Sequence, residues 1–142
     1  MKRNLIGILS LVAISLTLTA TGAFAQGYAK ANVPFDFKVG SAQMPAGTYE
    51  VKVEEQNTIS IRNGDSTAAA MSNARREYPR NTTAKLVFHK VGSEYFLAEI
   101  WRNSSTEGLI VPASKQEKEL EKELQASNGH KGGYEEVVIA LN

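Results

Sequence analysis

Few side chains in this sequence have the types and spacing that chemistry requires. The chain has two histidines, His89 and His130, and no cysteine. Without cysteine there are no disulfides, no thiol catalysis and no cysteine metal site. Neither histidine lies in a recognisable metal-ligand spacing. His89, inside a strand-like run, is typical of a half-buried packing residue, and His130, beside Gly129, of a solvated loop residue. We therefore expect no metal ligands.

Glu99 is the most unusual carboxylate, because it stands within an apolar run. A serine or threonine near His89, with Glu99 orienting the imidazole, would make a nucleophile and base arrangement, but no Gly-x-Ser-x-Gly elbow supports it. An outward strand position, or an ion pair with Arg102 or Lys85, is the simpler interpretation of Glu99. We expect no catalytic residue and no cofactor.

Arginines are concentrated in residues 73–82, where neither a helical nor a strand period is present. This pattern predicts a loop of ten residues, and long loops in compact domains often carry function. Arg75, Arg76 and Arg80 around Tyr78 could hold a carboxylate, sulfate or phosphate by forked hydrogen bonds. The segment is therefore our candidate anion-binding or partner-binding site, with solvated loop charge as the alternative.

The first 25 residues have the character of an export signal. A basic start is followed by an apolar run from Leu5 to Leu18, and residues 23–25 read Ala-Phe-Ala, a small-x-small cleavage pattern. We expect cleavage between Ala25 and Gln26, which leaves residues 26–142 as a single β-rich domain. The protein is then expected in the periplasm or outside the cell.

The expected mature chain is nearly neutral. Without Lys2 and Arg3 it has 14 basic and 15 acidic residues, a formal charge of −1. This balance predicts no general affinity for nucleic acid or anionic membranes, and we expect no further membrane span. The partner is not specified, and an envelope polymer, a glycan or a protein would each be compatible.

The densest apolar segment predicts a central β-hairpin. Residues 84–91 and 95–101 are rich in β-branched and aromatic side chains and are split by Gly92-Ser93-Glu94. A three-residue loop, or an equivalent bulge, places Leu86 opposite Ile100, whereas a two-residue turn pairs Leu86 with Glu99. We favour the first. It places Phe88 opposite Ala98 and gathers five apolar residues on one face: Leu86, Phe88, Phe96, Ala98 and Ile100.

Shorter signals surround this hairpin. Strands are predicted at 33–39, 49–53, 57–62, 66–72, 109–111 and 134–141, the last buried on both faces at its end. Asn63-Gly64 predicts a two-residue turn. Ser114-Lys115-Gln116-Glu117 is a capping box that predicts a helix over about 114–126, of which only Leu120 and Leu124 face the sheet. The fold class is mainly β, a small antiparallel sandwich or barrel of seven or eight strands with one helix in the C-terminal half.

Three motifs carry a resemblance. Val33-Pro34-Phe35-Asp36-Phe37, Pro45-Ala46-Gly47-Thr48-Tyr49-Glu50-Val51, and the Lys85–Lys90 and Tyr95–Trp101 runs together resemble a family of small secreted bacterial proteins without a known activity. The segment 45–49 also looks like the turn-to-strand element of prealbumin-like and collagen-adhesin B-type modules. The second resemblance implies an adhesion or scaffold setting.

Three functional hypotheses follow, in order of preference. The first is a non-enzymatic exported β-domain that binds or scaffolds at the cell envelope or outside the cell. The second is a carrier whose β-barrel encloses an apolar pocket for a small ligand. The third is an enzyme of unspecified type. A filled interior between the sheets would disfavour the carrier.

Overall fold

The computed structural model describes residues 28–54, 57–72, 74–77, 83–102, 107–128 and 133–142. The predicted leader with its Ala25–Gln26 boundary, Tyr78, Arg80 and His130 lie outside these residues. The elements are β1 (Tyr28–Val33), β2 (Phe37–Val39), β3 (Ala42–Met44), β4 (Gly47–Val53), β5 (Thr58–Asn63), β6 (Ser66–Met71), β7 (Ala74–Glu77), β8 (Lys85–Val91), β9 (Glu94–Trp101), β10 (Glu107–Ile110), α1 (Lys115–Asn128) and β11 (Glu135–Ala140).

The strands form two sheets that pack as a sandwich. One sheet has the order β1-β4-β5-β6, and the other β11-β8-β9-β10-β7, with β2 bridging to β9 and β3 pairing with β2. Lys30 and Asn142 exchange two backbone hydrogen bonds of 2.9 Å, which join the sheets at one side. The predicted fold class is confirmed, and of the two predicted closures the sandwich is correct, because the described strands do not close into a barrel.

Strands β4 to β6, which were predicted at 49–53, 57–62 and 66–72, form an antiparallel meander. Tyr49, Val51, Ile59 and Ile61 point into the core, as their alternation with polar residues requires. The turn between β5 and β6 differs by one residue from the prediction. Asn63 is the last residue of β5 and pairs with Ser66, so the turn residues are 64 and 65.

The β8–β9 hairpin combines both predicted registers. Its tip is a two-residue turn, because Val91 pairs with Glu94, yet Leu86 pairs with Ile100 further along. A β-bulge between Val87 and Phe88 reconciles the two, since it leaves Ala98 without a partner in the ladder. The bulge places an extra residue in β9 and shifts the register by one from that point.

The bulge also redistributes the side chains of β9. Leu97 and Ile100 join Leu86 and Phe88 in the core between the sheets. Phe96 and Ala98 are buried outside that core, so their predicted place on the Leu86 face was wrong. The prediction that this hairpin is central is confirmed. Nine of its residues are buried hydrophobics, four in the core between the sheets and five on the other face: Leu86, Phe88, Leu97 and Ile100, and Val87, Val91, Phe96, Ala98 and Trp101.

The described chain has eleven strands where seven or eight were predicted. The strand predicted at 33–39 is divided, because Val33 is the last residue of β1, which begins at Tyr28, and residues 37–39 form β2. Residues 42–44 form the short strand β3. Residues 74–77 form β7 within the predicted loop, so the loop prediction was wrong for this part of the segment. All four side chains of β7 are exposed, which explains why no apolar period marks it.

Helix α1 begins as the capping box predicts. The Ser114 hydroxyl accepts a hydrogen bond of 3.1 Å from the backbone N–H of Glu117. Leu120 and Leu124 are half-buried, as expected, but Glu117 is the most buried helix residue. The last strand, β11, was predicted to be buried on both faces at its end, which is wrong, because Val138 is 54% exposed.

Aromatic rings fill the space between the sheets. Phe37 contacts Tyr49 and Phe88 edge to face at centroid distances of 5.1 and 5.2 Å. Phe35 contacts Phe88 edge to face at 5.2 Å and stacks on Tyr95 at 3.9 Å. Edge-to-face pairs contribute beyond the area they bury. These five rings connect both sheets with β2 and the segment before it.

Candidate functional site

The arginine segment is only partly described, and its described part is held by ion pairs. Arg75 Nη1 lies 2.8 Å from Glu107 Oε2, and Arg75 Nη2 donates to Asn57 Oδ1 at 2.8 Å. Arg76 Nη1 lies 2.7 Å from Glu99 Oε1. Both guanidiniums therefore already have carboxylate partners within the fold. Anion binding by Arg75, Arg76, Tyr78 and Arg80 stays a prediction.

Glu99 is buried, not outward as predicted, and its partner is neither Arg102 nor Lys85. The Glu99 side chain is 9% exposed, and its second oxygen accepts a hydrogen bond of 2.9 Å from Trp101 Nε1. Register explains the pairing: Arg76, Gly108 and Trp101 stand side by side across β7, β10 and β9. Glu99 lies two residues before Trp101, on the same face of β9.

Arg76→Ala is expected to lower the free energy of unfolding by about 1–2 kcal/mol. Removing the guanidinium leaves the buried Glu99 carboxylate with Trp101 alone, and the partial exposure of Arg76 reduces the loss below that of a fully buried pair. The measurement is urea unfolding followed by the fluorescence of Trp101, the single tryptophan of the chain.

Arg75→Ala is the matched control, because Arg75 lies on the same strand as Arg76 and pairs with the half-exposed carboxylate of Glu107 on β10. We expect it to cost less than about 1 kcal/mol. Equal losses of unfolding free energy in the two variants would contradict the role of Arg76 in compensating the buried charge of Glu99.

A second cluster joins strand β8 to helix α1. His89 Nδ1 lies 3.0 Å from Glu117 Oε1, and the Glu117 side chain is only 4% exposed. Glu121 follows one helical turn later, and one donor atom from each of the three residues lies within 4.8 Å of the others. His89 is half-buried, as predicted, and its ring stacks on Tyr134 at 3.8 Å with an interplanar angle of 17°.

The helix register brings these residues together. Glu117, Leu120, Glu121 and Leu124 follow the i, i+3, i+4, i+7 spacing and share one helix face. In a capping box the glutamate side chain reaches back to the helix start, but the Oε1 atom of Glu117 instead contacts His89. This cluster was not predicted from the sequence, although the spacing of Glu117 and Glu121 on the leucine face of the helix was a readable signal.

A polar groove lies on the outer face of the β1-β4-β5-β6 sheet. Lys30, Glu50 and Arg62 stand side by side in register across three strands. Arg62 Nη2 and Nε both lie 3.0 Å from Glu50 Oε2. The groove has a volume of about 460 Å³, and its lining consists of Lys30, Thr48, Glu50, Arg62, Asn63 and Gly64.

The floor of this groove is anchored to the core through Asn63. Its side chain hydrogen-bonds to the Tyr49 phenol, whose hydroxyl donates to the Pro45 carbonyl. Burial raises the pKa of the Tyr49 phenol above its ordinary value. The phenol therefore stays neutral at physiological pH and acts as a fixed hydrogen-bonding group under the groove.

No protein family, curated protein or solved structure matches this chain. The described part of the chain contains no helix with the length and apolar character that crossing a bilayer requires. A functional assignment therefore rests on the three clusters above. Of these, the Arg76–Glu99–Trp101 cluster is an ion pair and a hydrogen bond that the fold itself satisfies, with Glu99 and Trp101 buried. The groove is open to solvent, and the His89 cluster is partly exposed.

Proposed function

We propose that this protein is an exported, non-enzymatic binding module that holds a polar polymer, a glycan of the cell envelope or its surroundings, on its outer surface. The observation that carries the proposal is the groove on the four-stranded sheet. It is open, about 460 Å³ in volume and lined by polar and charged side chains. A groove of this kind offers hydrogen-bond donors and acceptors without enclosing the ligand.

The chemistry of the lining favours hydroxyl-rich ligands. Glu50 and Arg62 already neutralise each other at 3.0 Å, so the groove does not depend on an ionic ligand for charge balance. Thr48 and Asn63 add a hydroxyl and an amide, which suit the alternating donors and acceptors of sugar hydroxyls. Lys30 adds a positive charge at one side and would favour polymers that also carry carboxylates.

The packing between the sheets supports surface binding over internal carriage. The rings of Phe35, Phe37, Tyr49, Phe88 and Tyr95 contact one another in the region where a carrier would hold an apolar ligand. Carrier sites are cavities of several hundred Å³ with mainly apolar linings, whereas the groove is polar and faces outward. The binding hypothesis is therefore preferred to the carrier.

The test is co-sedimentation of the purified domain with insoluble peptidoglycan and with acidic and neutral polysaccharides. We expect wild-type protein to be retained and Thr48→Arg to lose at least tenfold in retention, because the long side chain obstructs the groove. Ser93→Arg is the matched control, since it adds the same charge at an exposed turn of the other sheet. Its retention should equal that of wild type.

Two results would contradict the proposal. One is absence of wild-type retention on every polymer tested. The other is equal retention of wild type and Thr48→Arg, which would exclude the groove as the binding site. Circular dichroism of each variant checks that both substitutions, at exposed positions, leave the fold intact.

A further inference from the structure

We propose that His89, Glu117 and Glu121 form a binding site for one divalent transition-metal cation, for which Zn²⁺ is the best match, between strand β8 and helix α1. The three donor atoms lie within 4.8 Å of one another. The site is separate from the sugar-binding groove, since no groove residue belongs to it.

The first argument is the buried charge of Glu117. Its side chain is 4% exposed, and Oε1 lies 3.0 Å from His89 Nδ1. In the described part of the chain neither Glu117 nor Glu121 pairs with a lysine or arginine, and the second oxygen of Glu117 has no hydrogen-bond partner there. A buried carboxylate needs a compensating charge or a metal. A cation between the three donors supplies both the charge and the missing partner.

The second argument is the donor set. One imidazole nitrogen and two carboxylate oxygens are ligands that Zn²⁺ accepts at about 2.0–2.2 Å, with a fourth position open to water. Ca²⁺ and Mg²⁺ prefer sites built from six or more oxygens, so the imidazole selects against them. Tetrahedral coordination at these bond lengths separates ligand atoms by about 3.3 Å. His89 Nδ1 and Glu117 Oε1 are already 3.0 Å apart, and the donor atoms of all three residues lie within 4.8 Å of one another.

The third argument is the fixed geometry of the site. Tyr134 stacks on the His89 ring at 3.8 Å and sets its plane. Glu117 and Glu121 are one turn apart on the same helix, so their carboxylates project from one face. The two elements that meet at the site are otherwise held by the narrow seam of Leu120 and Leu124. A bound cation would therefore fasten α1 to the sheet and stabilise the folded state, because it binds that state alone.

The experiment is a calorimetric titration of the folded domain with Zn²⁺, together with thermal melts at increasing Zn²⁺. We expect one Zn²⁺ per chain and a rise in Tm. Glu121→Gln should weaken binding at least tenfold and abolish most of the rise, while its half-exposed position leaves the fold intact. Glu123→Gln is the matched control on the exposed side of the same helix and should bind like wild type. Mg²⁺ should give no comparable shift.

The ring signals of histidine in NMR provide a second readout. Zn²⁺ should shift the His89 ring signals in wild type, and Glu121→Gln should require at least tenfold more Zn²⁺ for the same shift. Failure of wild type to bind Zn²⁺, equal affinities of wild type and Glu121→Gln, or an unshifted His89 would each overturn the proposal. Retention on polysaccharide is independent of these measurements, so the two proposals fail separately.

Discussion

Phe88→Ala is expected to lower the free energy of unfolding by about 3–5 kcal/mol. Phe88 is fully buried, and its ring meets Phe35 and Phe37 edge to face at 5.2 Å, so truncation removes two aromatic contacts and opens a cavity at the centre of the sandwich. Total stabilities of small domains are about 5–15 kcal/mol, and the variant is therefore close to unfolding. Urea melts at constant m value measure the loss.

Val138→Ala is the control for this substitution. Val138 lies on β11, the strand adjacent to β8, and is 54% exposed, so its truncation should change stability by less than about 0.5 kcal/mol. A loss below about 1 kcal/mol for Phe88→Ala would show that its ring is not part of the core. In that case the assignment of hairpin faces, on which the central packing rests, would be wrong.

The alternation of apolar and polar residues was sufficient to predict the strands that have one buried and one solvent-exposed face. Tyr49 and Val51 in β4, and Ile59 and Ile61 in β5, are buried as their spacing requires. The bulge at Ala98 could not be located in this way, because β9 is apolar on both faces and the one charged residue within the run, Glu99, is itself buried. Strand β7 was missed for the opposite reason. It is an edge strand with both faces exposed, so its sequence contains no apolar period.

The candidate sites were predictable only where a signal is local. The local composition of the 73–82 segment drew attention to its arginines. The carboxylate that pairs with Arg76 lies 23 positions later in the chain, so this ion pair could not be predicted from the sequence. His89 and Glu117 are separated by 28 positions and meet only because α1 packs on β8. The groove could not be predicted either, because Lys30, Glu50 and Arg62 become neighbours only when β1, β4 and β5 pair in this register.

The Glu99 cluster shows why a charged residue in an apolar run can belong to the fold. Trp101 donates to Glu99, Lys85 Nζ lies 5.8 Å from the centre of the Trp101 ring, and Arg76 closes the ion pair. Two cations thus flank one carboxylate and one indole. This arrangement depends on space beside the indole, and the sequence supplies that space with Gly108, the register partner of Trp101.

Gly108→Ala is expected to destabilise the protein by about 3 kcal/mol, at the upper end of overpacking substitutions. A Cβ atom at residue 108 would stand 2.4–2.7 Å from three carbon atoms of the Trp101 ring. The ring is 1% exposed, so it can make room for this Cβ atom only by breaking its hydrogen bond to Glu99. The indole must therefore shift, and the buried Glu99–Arg76 pair loses its neighbour.

The measurement combines urea melts with the emission of Trp101, which should move to longer wavelength as the indole is displaced toward water. Gly64→Ala is the matched control: nothing lies within 4 Å of its Cβ position, and its φ of +41° makes the substitution cost about 1 kcal/mol through backbone strain alone. Its Trp101 emission should be that of wild type. If Gly108→Ala melts like wild type with unchanged emission, the indole does not need the space beside it, and the close packing of β9 on β10 would be refuted.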